Sequence, residues 1–266
     1  MGEPAGPPQG QGVSGLDGIH ARDRASWQVA EPEAHGRQVR SMFARISGVY
    51  DFMNHFLSFN RDKAWRRDVI AALDTDAWEV LDLCAGTGDL ALEAVRRERG
   101  RVWIAADFCP EMLQGSRGKR GAGRLELAAA DAMALPFRDR CVDAVTVGFG
   151  VRNFADVRRG LGEIRRVLRP GGQLLVLDFF RDDPAGTGPR RGVAAPVRLG
   201  LNTVVPLVGR LVGRDGSAYR YLPGSMGEFL TPTEFGDLLG ELGFRDVQVK
   251  RQTFGIAHLV TGRWPA

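Results

Sequence analysis

Four groups of residues that could bind a ligand come at or just after apolar runs of strand length. Asp82 interrupts the run Val80–Leu83, and Asp107 and Asp131 follow the next two runs. The fourth group, 148–153, follows a further such run. Because ligands of open α/β sheets bind at the carboxyl ends of the strands, we expect the four groups to share one site.

A glycine turn follows the first of these strands. Gly86 and Gly88 lack a Cβ, so the backbone can turn sharply there and a ligand can lie against it. Asp89 comes next, at the position expected for the N-cap of a helix. The spacing of Gly86, Gly88 and Ala91 also matches the dinucleotide pattern G-x-G-x-x-G/A, which by itself is weak evidence.

Charge distinguishes the cofactors that this turn could hold. A pyrophosphate at the helix N-terminus would meet the carboxylates of Asp82 and Asp89, whereas an ammonium and a sulfonium group would suit them. Asp107 is placed to accept hydrogen bonds from two ribose hydroxyls, and Asp131 from an adenine amino group. A cationic ligand with a ribose is S-adenosylmethionine, which we therefore predict as the cofactor.

The fourth group carries Arg152 and Asn153, which we expect to face the transferred methyl group. Methyl transfer is a displacement that depends mainly on positioning, with a base where the nucleophile carries a proton. Arginine accepts protons poorly because its pKa exceeds about 12. Arg152 is therefore expected to fix a water, hold an oxyanion or orient an enol, with a salt bridge in a surface loop as the alternative.

Strand and helix patterns alternate along the chain, which predicts an α/β fold with a Rossmann-like, doubly wound and mostly parallel sheet. Apolar residues at three- and four-residue steps from Met42 to Met53 predict one amphipathic helix. A second helix is predicted over Arg61–Leu73, and Arg169–Gly172 is a predicted turn. The seven predicted strands are 80–84, 102–106, 125–129, 142–147, 173–179, 244–252 and 255–261.

Composition shifts divide the chain. Residues 1–37 are rich in Gly, Pro, Gln and charge, which predicts a disordered tail ahead of one domain, 38–266. Within that domain, the apolar and arginine-rich segment 182–229 breaks the strand–helix alternation. Pro196 and Pro206 argue against a membrane span, so we expect a helical insertion that covers the substrate or lies on a bilayer surface. An ordinary core helix is an equally open interpretation.

The overall composition is that of a globular protein, with 44% hydrophobic and 26% charged residues. A net charge of +4 is far from that of a nucleic-acid binder, although it suits an anionic membrane surface. The three cysteines and four histidines show no metal-binding spacing, so no metal is expected. No signal peptide is recognisable, which predicts a cytoplasmic protein, peripheral contact with the inner face of the membrane remaining open.

Six motifs together carry a resemblance to a known family. They are Tyr-Asp-Phe-Met-Asn at 50–54, Leu-Asp-Leu-Cys-Ala-Gly-Thr-Gly-Asp at 81–89, Ala-Leu-Pro-Phe at 134–137, Gly-Phe-Gly-Val-Arg-Asn at 148–153, Leu-Arg-Pro-Gly-Gly at 168–172 and Tyr-Arg-Tyr-Leu at 219–222. From about Val39 to the C-terminus, the chain resembles the C-methyltransferases of quinone biosynthesis. This family methylates demethylmenaquinol and 2-polyprenyl-6-methoxy-benzoquinol, and it implies a class I S-adenosylmethionine-dependent methyltransferase fold.

The resemblance also implies residue roles. It assigns Arg152 and Asn153 to deprotonation of the quinol carbon, through a water molecule, and Tyr50 and Tyr221 to contact with the ring. Many members have serine where this chain has Gly148. The implied cofactor contacts are Thr87, Asp107, Asp131, Ala132 and Gly148, to which the strand end and turn add Asp82, Gly86 and Gly88.

The function expected from these observations is C-methylation of a polyprenylated quinol, demethylmenaquinol to menaquinol. Alternatives are methylation of 2-polyprenyl-6-methoxy-1,4-benzoquinol or of both rings, a non-catalytic cofactor-binding component of a quinone-synthesis complex, and an NAD-dependent oxidoreductase. Nucleic-acid methylation is disfavoured because the sequence lacks an [Asp/Asn]-Pro-Pro-[Tyr/Phe] motif. The sequence leaves open the prenyl length and the oligomeric state, a homodimer included.

Overall fold

The computed structural model describes residues 22–23, 28–48, 50–100, 102–181 and 229–266. Its strands are β1 (Arg22–Asp23), β2 (Gln28–Val29), β3 (Glu79–Leu83), β4 (Val102–Asp107), β5 (Leu125–Ala129), β6 (Val142–Gly148), β7 (Leu168–Asp178), β8 (Arg245–Gln252) and β9 (Ala257–Arg263). Its α-helices are α1 (Pro32–Ile46), α2 (Tyr50–Leu57), α3 (Arg61–Ala72), α4 (Asp89–Arg96), α5 (Pro110–Gln114), α6 (Val157–Val167) and α7 (Pro232–Glu241).

Seven strands form one sheet in the order β5-β4-β3-β6-β7-β9-β8. The five strands from β5 to β7 run parallel, whereas β9 pairs antiparallel with both β7 and β8. This confirms the predicted α/β class with its doubly wound, mostly parallel sheet. The chain leaves β3 for β4 on one side and later returns to β6 on the other, so the switch point lies beside β3.

Helices cover both faces of the sheet, which is why the central strands are mostly apolar. On one face, α6 and α7 pack through Leu161, Ile164 and Phe235. On the other face, α3 and α4 pack through Trp65 and Leu92. Helix packing on both faces holds the central strands in place, so the carboxyl ends of these strands are fixed relative to one another.

Two local predictions need correction in the first half of the chain. The predicted single helix from residue 42 to 53 is two helices, because α1 ends at Ile46 and α2 begins at Tyr50. Ser47 and Gly48, both poor helix formers, follow α1 at this break. The predicted turn Arg169–Gly172 lies inside β7 as an irregularity in its pairing with β6, with Gly171 at φ 80°.

The boundary of the predicted disordered tail, residue 37, is also wrong. Helix α1 begins at Pro32, and Val29 and His35 ahead of that boundary are buried. The Val29 amide donates to the Ala155 carbonyl at 2.9 Å. Burial against a distant loop orders this stretch, and composition alone does not report such a contact. The rest of the predicted tail, residues 1–21 and 24–27, lies outside the described residues.

The predicted insertion 182–229 falls almost entirely outside the described residues, as does Tyr221. Its last residue, Phe229, is 1% exposed and packs against Phe180 and Phe235. Helix α7 then begins with a capping box, in which Thr231 and Glu234 satisfy each other's backbone amides. Among the described residues, no helix is long and apolar enough to cross a membrane.

Candidate active site

The candidate site lies where β3 and β6 end. Both strands run into a left-handed residue, Cys84 at φ 58° and Phe149 at φ 59°. Such a conformation is unusual for residues other than glycine and is often found at functional sites. The two loops touch so closely that a Cβ on Gly150 would lie 2.4 Å from that of Cys84, and only glycine fits.

Asp107, at the end of β4, is tied to the glycine turn. One carboxylate oxygen accepts the Gly86 amide at 2.8 Å, and the other accepts the Cys109 amide at 2.8 Å. Burial raises the pKa of this carboxyl, and the two amide bonds oppose that rise. The predicted ribose acceptor therefore lies at the wall of the turn, held in one orientation by backbone donors.

A cleft of about 400 Å³ opens over these loops. It is lined by the sequence-predicted residues Tyr50, Gly86, Asp107, Asp131, Ala132, Gly148 and Asn153. Apolar walls come from Phe108 and Met112, and Gly86 leaves the backbone open to a ligand. A carboxylate beside bare backbone and apolar walls fits a ribose joined to an adenine, so the residues present suit S-adenosylmethionine.

A smaller cavity of about 30 Å³ adjoins the cleft and shares Tyr50, Gly86 and Gly148 with it. Its lining is more polar than that of the cleft and includes the predicted residues Asp82 and Thr87. The remaining polar side chains at this cavity are Asn54, Arg66 and Asp89. Nine of the eleven predicted site residues thus line one or both of the two adjoining spaces, whereas Gly88 and Arg152 line neither.

Asp82 lies beneath the glycine turn and is 1% exposed. Burial raises the pKa of its carboxyl to about 7. The Thr146 hydroxyl donates to it at 2.8 Å and the Ala91 amide at 3.3 Å, both of which oppose the rise. Asp82 therefore links β3, β6 and α4 below the site, and its charge depends on pH near neutrality.

Asp89 differs from its predicted role. Gly88, at φ 76°, is the N-cap of α4, and Asp89 is the first helical residue. Its carboxylate pairs with Lys119 at 2.6 Å and with Arg66 at 3.2 Å. Burial raises its pKa, but Arg66 and Lys119 outweigh burial and lower it. Asp89 is thus ionised and already compensated, so its charge alone does not exclude a pyrophosphate, contrary to the sequence argument.

A continuous set of ion pairs, here called the charge network, ties α2 and α3 to the glycine turn. Lys119 bridges Asp89 and Asp51, at 2.6 Å each, and the Thr87 hydroxyl donates to Asp51 at 2.5 Å. The remaining members are Arg66, Asp62 and His55, with Asp62 accepting from Arg66 at 2.6 Å and paired with His55 at 2.7 Å. Asp51, Arg66 and Lys119 are not among the predicted site residues. The signals that the sequence offers for them are the motif at 50–54, which contains Asp51, the basic run at 115–124 and the four-residue spacing of Asp62 and Arg66.

Tyr50 and Asn153 line the cleft, but Arg152 lines neither space formed by the described residues. Its guanidinium is turned inward, 2.5 Å from fully buried Asp178 and 2.7 Å from the Phe149 carbonyl. It also lies 5.3 Å from the centre of the Phe179 ring. Arg152 therefore forms a salt bridge, which the sequence left open as its alternative role, but this salt bridge is buried and does not lie in a surface loop.

Tyr50 stands at the boundary between the two spaces. Burial raises the pKa of its phenol, whereas a hydrogen bond with Asn54 and the nearby charges of Arg152 and Arg66 oppose the rise. Its ring packs edge-on against Phe43 of α1, with centroids 5.8 Å apart. Tyr50 is therefore a neutral hydrogen-bonding group whose position depends on α1 and α2 together.

Helix α1 supplies a wall of the cleft that sequence analysis did not anticipate. A ring nitrogen of His35 lies 3.1 Å from the Asn153 carbonyl, and Arg40 lies 5.8 Å from the centre of the Phe108 ring. The residues of α1 that line the cleft are Pro32, Glu33, Gly36, Arg37, Val39, Arg40 and Phe43. Within the described ranges, no three His, Cys, Asp or Glu side chains are grouped to hold a metal ion.

Comparisons with known proteins identify relatives over most of the chain. The model of the ubiE/COQ5 methyltransferase family matches residues 31–263. A demethylmenaquinone methyltransferase from Thermus thermophilus is 41% identical over 84% of this chain and 100% of its own length. The ubiquinone/menaquinone biosynthesis C-methyltransferase UbiE of Geobacter sulfurreducens is 39% identical over 85% of this chain and 88% of its own length.

Solved structures show the same fold at low sequence identity. A methyltransferase from Thermotoga maritima, described as SAM-dependent, superposes with a TM-score of 0.58 at 17% identity, over 84% of this chain and 99% of its own. Human N-acetylserotonin methyltransferase in complex with SAM has a TM-score of 0.53 at 21% identity, over 84% of this chain and 59% of its own.

Proposed function

The chain belongs to the ubiE/COQ5 methyltransferase family, and we propose that it transfers a methyl group from S-adenosylmethionine to a ring carbon of a polyprenylated quinol. Demethylmenaquinol is the proposed substrate and menaquinol the product. The observation that carries the proposal is the convergence of Gly86, Asp107 and Gly148 on one cleft, with Tyr50 and Asn153 at its wall. The name of the Thermus relative supports the choice of ring, whereas the name of the Geobacter relative covers both rings.

The cofactor supplies an electrophilic methyl carbon on a sulfonium. Asp107 would accept hydrogen bonds from the ribose, and Asp131 with Ala132 would receive the adenine. The turn residues Gly86, Thr87 and Gly88 and the buried Asp82 would surround the methionine end, and the backbone of Gly148 would border it, since Gly148 lines the same cavity as Asp82, Gly86 and Thr87. Because Gly148 has no side chain, the hydrogen bond that a serine would provide at this position is absent.

Catalysis requires that the ring carbon lose a proton to water as it gains the methyl group. The guanidinium of Arg152 stabilises the oxyanion of the quinol or orients that water. Asp178 holds its guanidinium, and Asn153 and Tyr50 position the ring at the cleft. For Arg152 to touch the substrate directly, its side chain must turn from Asp178 toward the cleft.

The prenyl chain of such a substrate is apolar, so it must leave the polar end of the site along an apolar surface. We assign this surface to segment 182–229 on the strength of its apolar and arginine-rich sequence. Its arginines would contact anionic lipid headgroups, which makes the protein peripheral to the membrane. Self-association into a homodimer is a separate prediction, which light scattering on the purified protein tests.

The test is methyl transfer in vitro, followed by mass spectrometry of the quinone. We expect a gain of one methyl group on demethylmenaquinol, and the same assay on 2-polyprenyl-6-methoxy-1,4-benzoquinol measures the alternative substrate. Asp107→Ala should weaken cofactor affinity roughly ten- to a hundred-fold. Lys250→Met, on a surface strand away from the site, is the control with unchanged transfer. Cofactor binding without transfer to either quinol would instead support a non-catalytic component.

A further inference from the structure

Arg66 of α3 lies at the wall of the small cavity and has no role in the proposal above. Its side chain is 10% exposed. One terminal nitrogen, Nη1, makes the contacts with Asp62 at 2.6 Å and with Asp89 at 3.2 Å. Its other guanidinium nitrogens donate to no atom of the described residues. The guanidinium is thus anchored through one nitrogen while it retains further N–H donors.

The charges around the small cavity make Arg66 distinctive. Asp82 and Asp89 both line this space, and Arg66 is the one cation among the described residues that do. Lys119 neutralises Asp89 from outside the lining. An anionic group that entered the cavity would lie beside the acidic side chains of Asp82 and Asp89, and Arg66 is the lining cation that could stabilise it there.

S-adenosylmethionine carries such an anion, because its methionine end has a carboxylate as well as an ammonium. The cavity adjoins the glycine turn, and the predicted adenine-binding residues Asp131 and Ala132 line the cleft but not this cavity. A guanidinium presents parallel N–H donors whose spacing matches the two oxygens of a carboxylate.

We propose that Arg66 binds the α-carboxylate of S-adenosylmethionine, while Asp62 and Asp89 hold its guanidinium in place. This inference rests on the proposed function for the identity of the cofactor. The charge network thereby also serves ligand binding, since it fixes the Arg66 side chain between Asp62 of its own helix and Asp89 at the start of α4. A lysine could supply the charge at this position but not the paired donors.

Three ligands test this assignment by calorimetry without any quinol. S-adenosylmethionine carries the carboxylate, decarboxylated S-adenosylmethionine lacks only that group, and 5′-methylthioadenosine lacks the whole amino-acid end. Arg66→Met should weaken binding of S-adenosylmethionine roughly ten- to a hundred-fold. It should change the affinity for the other two ligands by less than about twofold. Arg66→Lys should give an intermediate loss confined to S-adenosylmethionine.

Equal weakening of all three ligands by Arg66→Met would overturn the proposal, because it would mean that Arg66 only supports the fold of the site. Unchanged affinity for S-adenosylmethionine would overturn it as well. Lys119→Met is the matched control, since it removes a cation of the same network that does not line the cavity. It should not discriminate between the three ligands.

Two further outcomes separate this inference from the proposed function. If Arg66→Met does not fold, Arg66→Lys and the wild-type protein test the proposal instead. Wild type must then bind S-adenosylmethionine more tightly than its decarboxylated form. Equal wild-type affinities would contradict the role of Arg66 while leaving the cofactor assignment intact. Failure of wild type to bind any of the three ligands would instead contradict the proposed function.

Discussion

Asp82 illustrates how a single buried side chain makes stability depend on pH. Its carboxyl is buried beneath the glycine turn, which raises its pKa to about 7, whereas the unfolded chain has a value near 3.8. The folded state therefore holds a proton that the unfolded state has lost at neutral pH. The stabilisation associated with that proton is complete below the unfolded pKa and is lost as the pH rises through the folded pKa.

We predict that, because of Asp82, the free energy of unfolding of the ligand-free protein falls by about 2 kcal/mol as the pH rises from about 5.5 to about 8.5. Asp82→Asn keeps the shape but cannot ionise, so its stability relative to wild type should improve by the same amount over that range. Urea unfolding of both proteins at the two pH values measures the difference. A constant difference would show that Asp82 does not titrate in this range.

Arg152 and Asp178 form a buried ion pair whose loss should be visible in stability as well as in turnover. Arg152→Ala leaves the Asp178 carboxylate, 0% exposed, without its cation, and should destabilise the protein by about 3–5 kcal/mol. The same change should lower kcat strongly while the affinity for S-adenosylmethionine stays nearly constant, because Arg152 acts mainly in the transition state.

Chemical denaturation, steady-state kinetics and calorimetry on one preparation check this pair of effects. Adding Asp178→Asn to Arg152→Ala removes the uncompensated charge, so the double variant should recover part of the stability without recovering kcat. Wild-type stability in the single variant would contradict the buried pair. Wild-type turnover would contradict the catalytic role of Arg152.

At the scale of elements, two helices that line the cofactor cleft are held in place by different interactions. Helix α2 is held over the glycine turn by charge, through Asp51, Lys119 and Asp89. Helix α1 is held by burial and by few polar contacts, among them the His35 contact with the Asn153 carbonyl. Salt should therefore loosen α2 more than α1, since screening acts on ion pairs that are partly exposed.

The position of α1 makes truncation informative. A chain that starts at residue 28 keeps Val29, His35 and the whole of α1, and it should retain the stability and cofactor affinity of the full chain. A chain that starts at residue 39 loses the buried Val29 and the first part of α1, and should be destabilised by about 2–4 kcal/mol. It should also bind S-adenosylmethionine more weakly, because a wall of the cleft is gone.

Thermal unfolding and calorimetry on the two shortened chains check this expectation. The chain that starts at residue 28 serves as the control for loss of the N-terminal residues as such. Equal behaviour of both shortened chains would mean that α1 contributes neither stability nor binding.

At the scale of the whole molecule, the parallel strands place the predicted cofactor residues at one edge of the sheet. We expect the prenylated end of a quinol bound there to extend away from that edge. Charge removal at Arg190 and Arg191, as Arg190→Gln with Arg191→Gln, should weaken binding to anionic liposomes. The loss should be larger at low salt, where electrostatic attraction is least screened. Turnover of a short-chain, water-soluble quinol should be unchanged.

Liposome sedimentation and the short-chain assay separate the two effects. Lys250→Met, which changes the charge of a distant strand, is the matched control. Undiminished binding of the double arginine variant to anionic liposomes would favour the interpretation of segment 182–229 as ordinary core.

The sequence by itself determined the sheet class, the approximate positions of the seven strands of the main sheet, and the strand-end and turn residues of the cofactor cleft. These follow from local signals: continuous apolar runs form covered strands, paired glycines form the turn, and strand ends of a parallel sheet meet at one edge. Asp107 and Gly86 could be identified for that reason, although they are 21 residues apart in the chain. The family resemblance added the roles of Arg152 and Asn153, which composition and periodicity did not supply.

Tertiary structure alone decided which charged side chains are paired within the protein and which face the site. Arg152 meets Asp178 across 26 residues, Lys119 meets Asp89 across 30, and α1 is anchored by a contact between His35 and the Asn153 carbonyl across 118. No local pattern reports such pairs, because an ion pair depends on where two chain segments are brought together in space. The compensated charge of Asp89, the inward orientation of Arg152 and the place of Arg66 at the small cavity all follow from that packing.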